Sequence, residues 1–209
     1  MKEELCNIVS NDHIGKRYYF MKLHAEYIST NAKAGNFVML AVLSTTEPLL
    51  KRPFGIFKVE PPYIWLYYEI VGKGTELMAT LKPGEPVRVI GPLGNAFPPV
   101  SGKNILMIAG GRGIAPIYYA GESYSTDPGN SVILIYAARS AGDLNLLDEI
   151  EKLRLKHVYL YTDDGSAGKK GLVTDDILDI IERHDIDMTL SCGPDAMFEG
   201  LNRTIGGNG

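Results

Sequence analysis

Asn104-Ile105-Leu106-Met107-Ile108-Ala109-Gly110-Gly111-Arg112-Gly113-Ile114-Ala115-Pro116 decides how this chain is read. The unbroken apolar run Asn104–Ala109 suits a strand buried on both faces of a parallel sheet. The glycines after it permit a tight turn and bring a ligand close to the backbone. Pro116 fits the first turn of a following helix, where its missing N–H is no loss. A strand, a glycine-rich turn and a helix N-terminus together form an anion-binding unit of an α/β domain.

C-terminal to this unit the pattern repeats. Val132–Ala138, Val158–Tyr161 and Met188–Cys192 read as further strands. Between them Leu144, Leu147, Ile150 and Leu153, and then Val173, Ile177, Ile180 and Ile181, recur at helical spacing. Thr174 followed by Asp175 and Asp176 reads as an N-cap with acidic first-turn residues. Residues 101–209 are therefore expected to form a Rossmann-like domain with a parallel sheet and a ligand crevice at the carboxyl ends of its strands. Gly110, Gly111, Gly113 and Pro116 would shape the crevice from one strand end, and Cys192, Gly193 and Pro194 from another. Arg139 and Asp163, after two further strands, are candidates for a ribose or adenine group. Asp163-Asp164-Gly165 reads equally as a solvated turn. The turn departs from the usual dinucleotide fingerprint: Pro116 stands where a third glycine belongs, and Arg139-Ser140 stands where an acidic ribose ligand is expected.

N-terminal to the seam Gly91–Pro99 the period changes. Leu5–Ser10, Tyr18–Tyr27, Asn36–Val42, Phe54–Val59, Tyr63–Val71 and Pro86–Ile90 read as short strands separated by turn residues. Six such strands in residues 1–97 predict an antiparallel Greek-key barrel, interrupted by one helix around Thr75–Leu81. Arg52-Pro53-Phe54-Gly55 opens one of the strands. Its Arg suits a phosphate and its Phe a flat ring system. Gly72-Lys73-Gly74-Thr75 opens the helix and offers a second phosphate-binding turn. Two such elements in one barrel point to a dinucleotide such as FAD.

A formal charge of −4 argues against nucleic acid as a partner. No apolar run approaches the roughly 20 residues of a membrane span, and the start of the chain has no signal-peptide pattern, so a cytoplasmic location is the default expectation. Cys6 and Cys192 are the only cysteines and match no zinc or iron–sulfur spacing. Cys6 reads as a strand-packing residue, and a disulfide between the two is left open without being favoured. His13, His24, His157 and His184 show no metal-ligand spacing and are expected to be structural or exposed.

Taken as a set, these segments resemble the ferredoxin–NADP reductase superfamily, in which an FAD-binding barrel precedes an NAD(P)-binding α/β domain. Arg52-Pro53-Phe54-Gly55 is similar to its flavin motif, Gly74-Thr75 to its FAD pyrophosphate turn, and Gly110–Pro116 with Cys192-Gly193-Pro194 to its pyridine-nucleotide motifs. Val71–Thr75, Gly91–Asn95, Ala138–Ser140, Thr162–Ser166 and Lys170-Gly171 resemble one branch, the electron transfer subunits of NAD-dependent dihydroorotate dehydrogenase. The resemblance implies hydride exchange between nicotinamide C4 and FAD N5, with electrons passed to or from a catalytic FMN subunit in a hetero-oligomer. It assigns Arg52, Gly74 and Thr75 to FAD phosphates and Pro53, Phe54 and Gly55 to the flavin and its linker. Tyr68, Glu69 and Ile70 complete the implied cofactor contacts, and Cys192 would lie near the nicotinamide.

Two departures stand out. Gly55 replaces the hydroxyl residue that the superfamily places near flavin N5. The branch also holds a [2Fe–2S] cluster on four cysteines that this sequence lacks, so it reads as either truncated or cluster-free. NAD is favoured over NADP because Asp163-Asp164 would repel a 2′-phosphate, although Arg139-Ser140 would attract one. A stand-alone NAD(P)H:flavin or ferredoxin reductase is the alternative, and a nucleotide-binding module without redox function is a third reading.

Overall fold

The computed structural model describes residues 1–42 and 50–206, in two units, Met1–Phe97 and Pro98–Gly209. The first unit runs β1 (Lys2–Gly15), β2 (Tyr18–His24), α1 (Glu26–Asn31), β3 (Phe37–Val42), β4 (Arg52–Glu60), β5 (Tyr63–Glu69), α2 (Lys73–Thr80) and β6 (Pro86–Leu93). Its strands close into a six-stranded barrel in the order β1-β2-β5-β4-β3-β6, with every pairing antiparallel. Alternate residues point inward: Cys6 and Ile8, Met21 and Leu23, Val38 and Leu40, Ile64 and Leu66, Val87 and Val89 are all buried. This two-residue period lets one face of each strand fill the barrel. Cys6 lies within this packing, and burial pushes its thiol up to about 12, with Glu4 nearby adding to the shift.

The strand expected over Tyr18–Tyr27 stops at His24, and Glu26–Asn31 forms a helix instead. Among the described residues the barrel unit therefore has two helices, not one. The reason lies on another strand: the Glu4 carboxylate of β1 accepts the N–H groups of Tyr27 and Ile28, each at 3.1 Å. A cap supplied from so far along the chain leaves no local signature. Ile28 is fully buried beneath it.

The second unit contains β7 (Asn104–Gly110), α3 (Ile114–Ser125), β8 (Ser131–Ala138), α4 (Leu147–Ile150), β9 (His157–Thr162), β10 (Lys169–Lys170), α5 (Ile177–His184), β11 (Met188–Cys192) and α6 (Asp195–Ile205). The sheet is parallel throughout, in the order β10-β9-β8-β7-β11. From β7 the chain winds out through β8 and β9 to one side, then returns to place β11 on the other. Leu106, Ile108, Ile133, Ile135 and Tyr161 of the sheet pack against Val173, Ile177, Ile180 and Leu201.

Three expectations need correction here. The repeat at Leu144, Leu147, Ile150 and Leu153 yields only the one-turn α4. Leu144 and Leu146 are buried from irregular backbone, where Asp143 is tied to Ser140 by a 2.7 Å hydrogen bond. Thr174 is not an N-cap: it sits inside a 3-10 turn (Val173–Asp175), in which the Asp175 carboxylate takes the Leu172 N–H at 2.9 Å. Helix α5 starts after Asp176, whose carboxylate turns instead to Lys169 (2.5 Å) and the Tyr161 hydroxyl (2.7 Å) and so pins the unexpected edge strand β10. Both cysteines are free thiols. Among the described residues, no cluster of three or more His, Cys, Asp or Glu side chains is placed to hold a metal. No helix among them is long and apolar enough to cross a membrane.

His13, His24 and His157 are exposed. His184, partly buried, accepts the Tyr159 hydroxyl on Nε2 at 2.8 Å. Burial, followed by the nearby Lys156, His157 and Arg183, lowers its pKa below the ordinary 6.5. A depressed pKa means that the unfolded chain binds this proton more readily. The stability contributed by neutral His184 is therefore present above about pH 6.5 and declines as the pH falls below it. Thermal unfolding followed from pH 7.5 to 5 should show a falling midpoint, and His184→Gln should make that fall shallower.

Candidate functional site

In the barrel, the structure brings the two phosphate-capable segments together. Arg52 opens β4, and its guanidinium lies directly over Gly74 in the first turn of α2. A Cβ on Gly74 would fall 2.1 Å from Arg52 Nε and 2.4 Å from Cζ, so only glycine admits the guanidinium here. Arg52 Nη1 also donates to the Leu50 carbonyl, which tethers the guanidinium. At the same helix end the N–H groups of Lys73 and Gly74 have no acceptor within α2. A cation and a helix N-terminus at one point form a cradle that fits a phosphate.

Thr75, the other expected phosphate residue, closes the turn before α2 from within. It is buried, and its hydroxyl donates to the Gly72 carbonyl (3.0 Å) while accepting the Val71 N–H (2.9 Å). The side chain shapes the loop from within. Tyr68, Glu69 and Ile70 likewise spend their polar groups on the protein. The Tyr68 hydroxyl donates to Asn11 Oδ1 at 2.9 Å, Glu69 pairs with Arg17 at 2.7 Å, and the Ile70 N–H donates to the Arg17 carbonyl at 2.8 Å. Burial pushes the Tyr68 hydroxyl well above the usual tyrosine pKa, so it stays a donor. The Phe54 ring meets the Tyr68 ring edge-on at 5.9 Å. Pro53, exposed, and Gly55 pair with Met39 and Phe37 in the β3–β4 ladder. Gly55 therefore brings only backbone to its position.

In the second unit, the Gly110–Pro116 turn and the Cys192–Pro194 turn form one feature, because β7 and β11 are neighbours and Ala109 is in register with Cys192. A Cβ on Gly113 would lie 2.0 Å from the Cys192 carbonyl oxygen, and one on Gly110 would lie 2.8 Å from the Pro194 ring. The two turns thus touch backbone to backbone. Strand order reverses between β7 and β11, and in open α/β sheets ligands bind at the carboxyl ends of strands flanking such a reversal. Gly111 is at φ +51°, and Pro116 is the third residue of α3. Burial raises the Cys192 pKa, so its thiol is poorly suited to act as a nucleophile.

Arg139 and Asp163 lie at the carboxyl ends of β8 and β9, on the same edge as the glycine turns. Their loops are laced together: the Asp163 N–H donates to Ala138 and the Asp164 N–H to Arg139, while Ser166 Oγ accepts the Ala141 N–H at 2.7 Å. Asp164 is spent on Ser166, whose side-chain and backbone hydrogen bonds lower its pKa. Both carboxylates are exposed, and Asp163 has no such tie to Ser166. A cleft of about 250 Å³ between β9, β10 and α5 shares no residue with either glycine turn and is lined in part by the Lys169–Asp176 pair. Sequence reasoning missed Asn11 and Glu4, whose partners are far along the chain.

An antiparallel barrel with a phosphate cradle, followed by a parallel sheet with a glycine turn at its switch point, defines the ferredoxin–NADP reductase class of fold. The family model described as "Oxidoreductase NAD-binding domain" matches residues 107–203. The dihydroorotate dehydrogenase B (NAD(+)) electron transfer subunit of Fusobacterium nucleatum is 32% identical, with 100% of this chain and 82% of that protein covered. An NADH-dependent reduced ferredoxin–NADP oxidoreductase, solved in a study of flavin-based electron bifurcation, superposes with a TM-score of 0.81 at 26% identity, covering 96% of this chain and 72% of that one. A ferredoxin–NADP+ reductase from Neisseria gonorrhoeae with bound FAD and NADP shares the fold, with a TM-score of 0.82 at 17% identity over 100% and 92% of the two chains. The chain belongs to the family of dihydroorotate dehydrogenase B electron transfer subunits.

The contact at Gly113 has a direct consequence. Gly113→Ala forces a methyl group into a carbonyl oxygen and should destabilise the protein by at least about 2 kcal/mol. Gly111→Ala meets open space and carries only the left-handed backbone penalty, about 1 kcal/mol. Chemical denaturation of the two variants should show the larger loss for Gly113→Ala.

Proposed function

We propose that this chain is an electron transfer flavoprotein. It would exchange a hydride between NAD(H) and an FAD held in the barrel, and pass electrons to or from a dihydroorotate dehydrogenase catalytic subunit in pyrimidine biosynthesis. The observation that carries the reading is the Arg52 guanidinium lying over Gly74 at the N-terminus of α2. Arg52 and the Lys73 and Gly74 N–H groups would hold the FAD pyrophosphate. Phe54, braced by Tyr68, would pack against the ring system, with Pro53 and Gly55 lining its approach. When bound, the flavin supplies two-electron exchange with nicotinamide and one-electron exchange with a partner.

The protein's own work is to bind and orient. Gly55 offers only a backbone N–H where a hydroxyl is usual, so polar contact with the ring falls to the main chain or to water. The switch-point turn would take the NAD(H) diphosphate on the helix α3 N-terminus, with Gly110, Gly111, Gly113, Pro116, Gly193 and Pro194 leaving the backbone bare to it. Cys192 would contribute packing beside the nicotinamide. Asp163 and Arg139 would meet the ribose or adenine end, and the exposed Asp163 favours NAD over a 2′-phosphorylated cofactor.

A second reading is a stand-alone NAD(P)H:flavin or ferredoxin reductase, supported by the fold shared with a ferredoxin–NADP+ reductase. Pull-down with the dihydroorotate-oxidising subunit separates the two readings. A stoichiometric complex supports the first, while reduction of ferredoxin or free flavin without a partner supports the second.

The flavin released from the purified, heat-denatured protein should elute as FAD; FMN, or no flavin, overturns the proposal. Gly74→Ala, which displaces the guanidinium without touching main chain, should weaken FAD binding at least about tenfold. The melting temperature of the flavin-free protein should stay close to wild type. Steady-state kcat/KM should be higher with NADH than with NADPH, and a strong NADPH preference would reverse the assignment at Asp163.

A further inference from the structure

We propose that Asn11, on β1, is the positioning residue that holds both ends of the barrel's cofactor site in register. The proposal rests on the FAD reading above. Asn11 uses every face of its amide. Nδ2 donates to the Met78 carbonyl at 2.8 Å and to the Leu81 carbonyl at 3.1 Å, while Oδ1 accepts the Tyr68 hydroxyl at 2.9 Å.

The first two bonds supply side-chain donors to carbonyls at the C-terminal end of α2, where the Met78 carbonyl also accepts the Leu81 N–H at 3.2 Å. They fix this eight-residue helix to the barrel wall at the end opposite the Arg52 cradle. The orientation of α2, and hence the aim of the Lys73 and Gly74 N–H groups, depends on that anchor.

The third bond reaches the other end of the site. Tyr68 is 1% exposed, and its ring is stacked on Tyr19 at 5.4 Å and meets Phe54 edge-on at 5.9 Å. With its hydroxyl tied to Asn11 and its ring held by Tyr19, Tyr68 is a fixed wall for the Phe54 ring. One side chain therefore locks the phosphate end through α2 and the ring end through Tyr68. The two arms can be cut separately. Asn11→Asp keeps an acceptor for Tyr68 and loses the donors to Met78 and Leu81. Tyr68→Phe keeps the ring and the α2 anchor and loses only the hydroxyl bond.

The test uses the full chain stripped of flavin. FAD binding is followed by fluorescence quenching, with ADP and riboflavin as competing probes of the two ends, well below each variant's melting temperature. Asn11→Asp should weaken ADP about fivefold or more and leave riboflavin within twofold. Tyr68→Phe should do the reverse, weakening riboflavin and sparing ADP. A purely structural role would lower the melting temperature yet leave both probes within twofold of wild type, and that result overturns the proposal. Equal weakening of both probes in both variants also overturns it, because it denotes general loosening. Should Asn11→Asp not fold, the Tyr68→Phe split alone decides. A wild-type chain that takes up no FAD removes the FAD reading, and this proposal with it.

Discussion

At both candidate sites a backbone position is kept bare because another group already occupies the space of a side chain. At Gly74 that group is the Arg52 guanidinium, and at Gly113 it is the Cys192 carbonyl. The first contact sets a cation against a helix N-terminus, and the second locks two strand-end turns together at the switch point of the sheet. Both are close approaches that a methyl group would prevent. The strands, helices and loops around them hold these contacts in place, and the first puts a positive charge beside helix N–H groups, which suits a phosphate.

The supporting structure is spent with the same economy. Thr75, Tyr68, Glu69 and Asp164 all carry polar groups of the kind that bind ligands, yet each satisfies a neighbour on the protein instead. Their role is preorganisation. A loop whose own side chains close its hydrogen bonds loses little freedom when a ligand arrives, which favours binding without new contacts. At the candidate sites, Asp163 and Arg139 are exposed to solvent.

Much of this was legible in the sequence. The apolar run of β7, the glycine turn after it, and the paired Arg52–Gly55 and Gly72–Thr75 segments are local signals, written in neighbouring residues. They correctly indicated a barrel followed by a parallel sheet. What escaped depends on partners distant in sequence. Helix α1 exists because Glu4 caps it from another strand, and β10 because Asp176 holds Lys169. The leucines at 144–153 keep a helical spacing, but Leu144 and Leu146 are buried from irregular backbone, so the period outlasts the helix. Asn11 gave no sign at all, since an Asn on a strand reads as a surface residue until its three partners are seen.

The account stands or falls on a redox-active flavin in the barrel that responds to a nicotinamide. Anaerobic titration of the purified wild-type protein with NADH, followed in the visible flavin bands, tests this most directly. The account predicts flavin absorption in the protein as isolated, bleached by about one equivalent of NADH. A protein without flavin bands, or bands that excess NADH leaves unchanged, would contradict it.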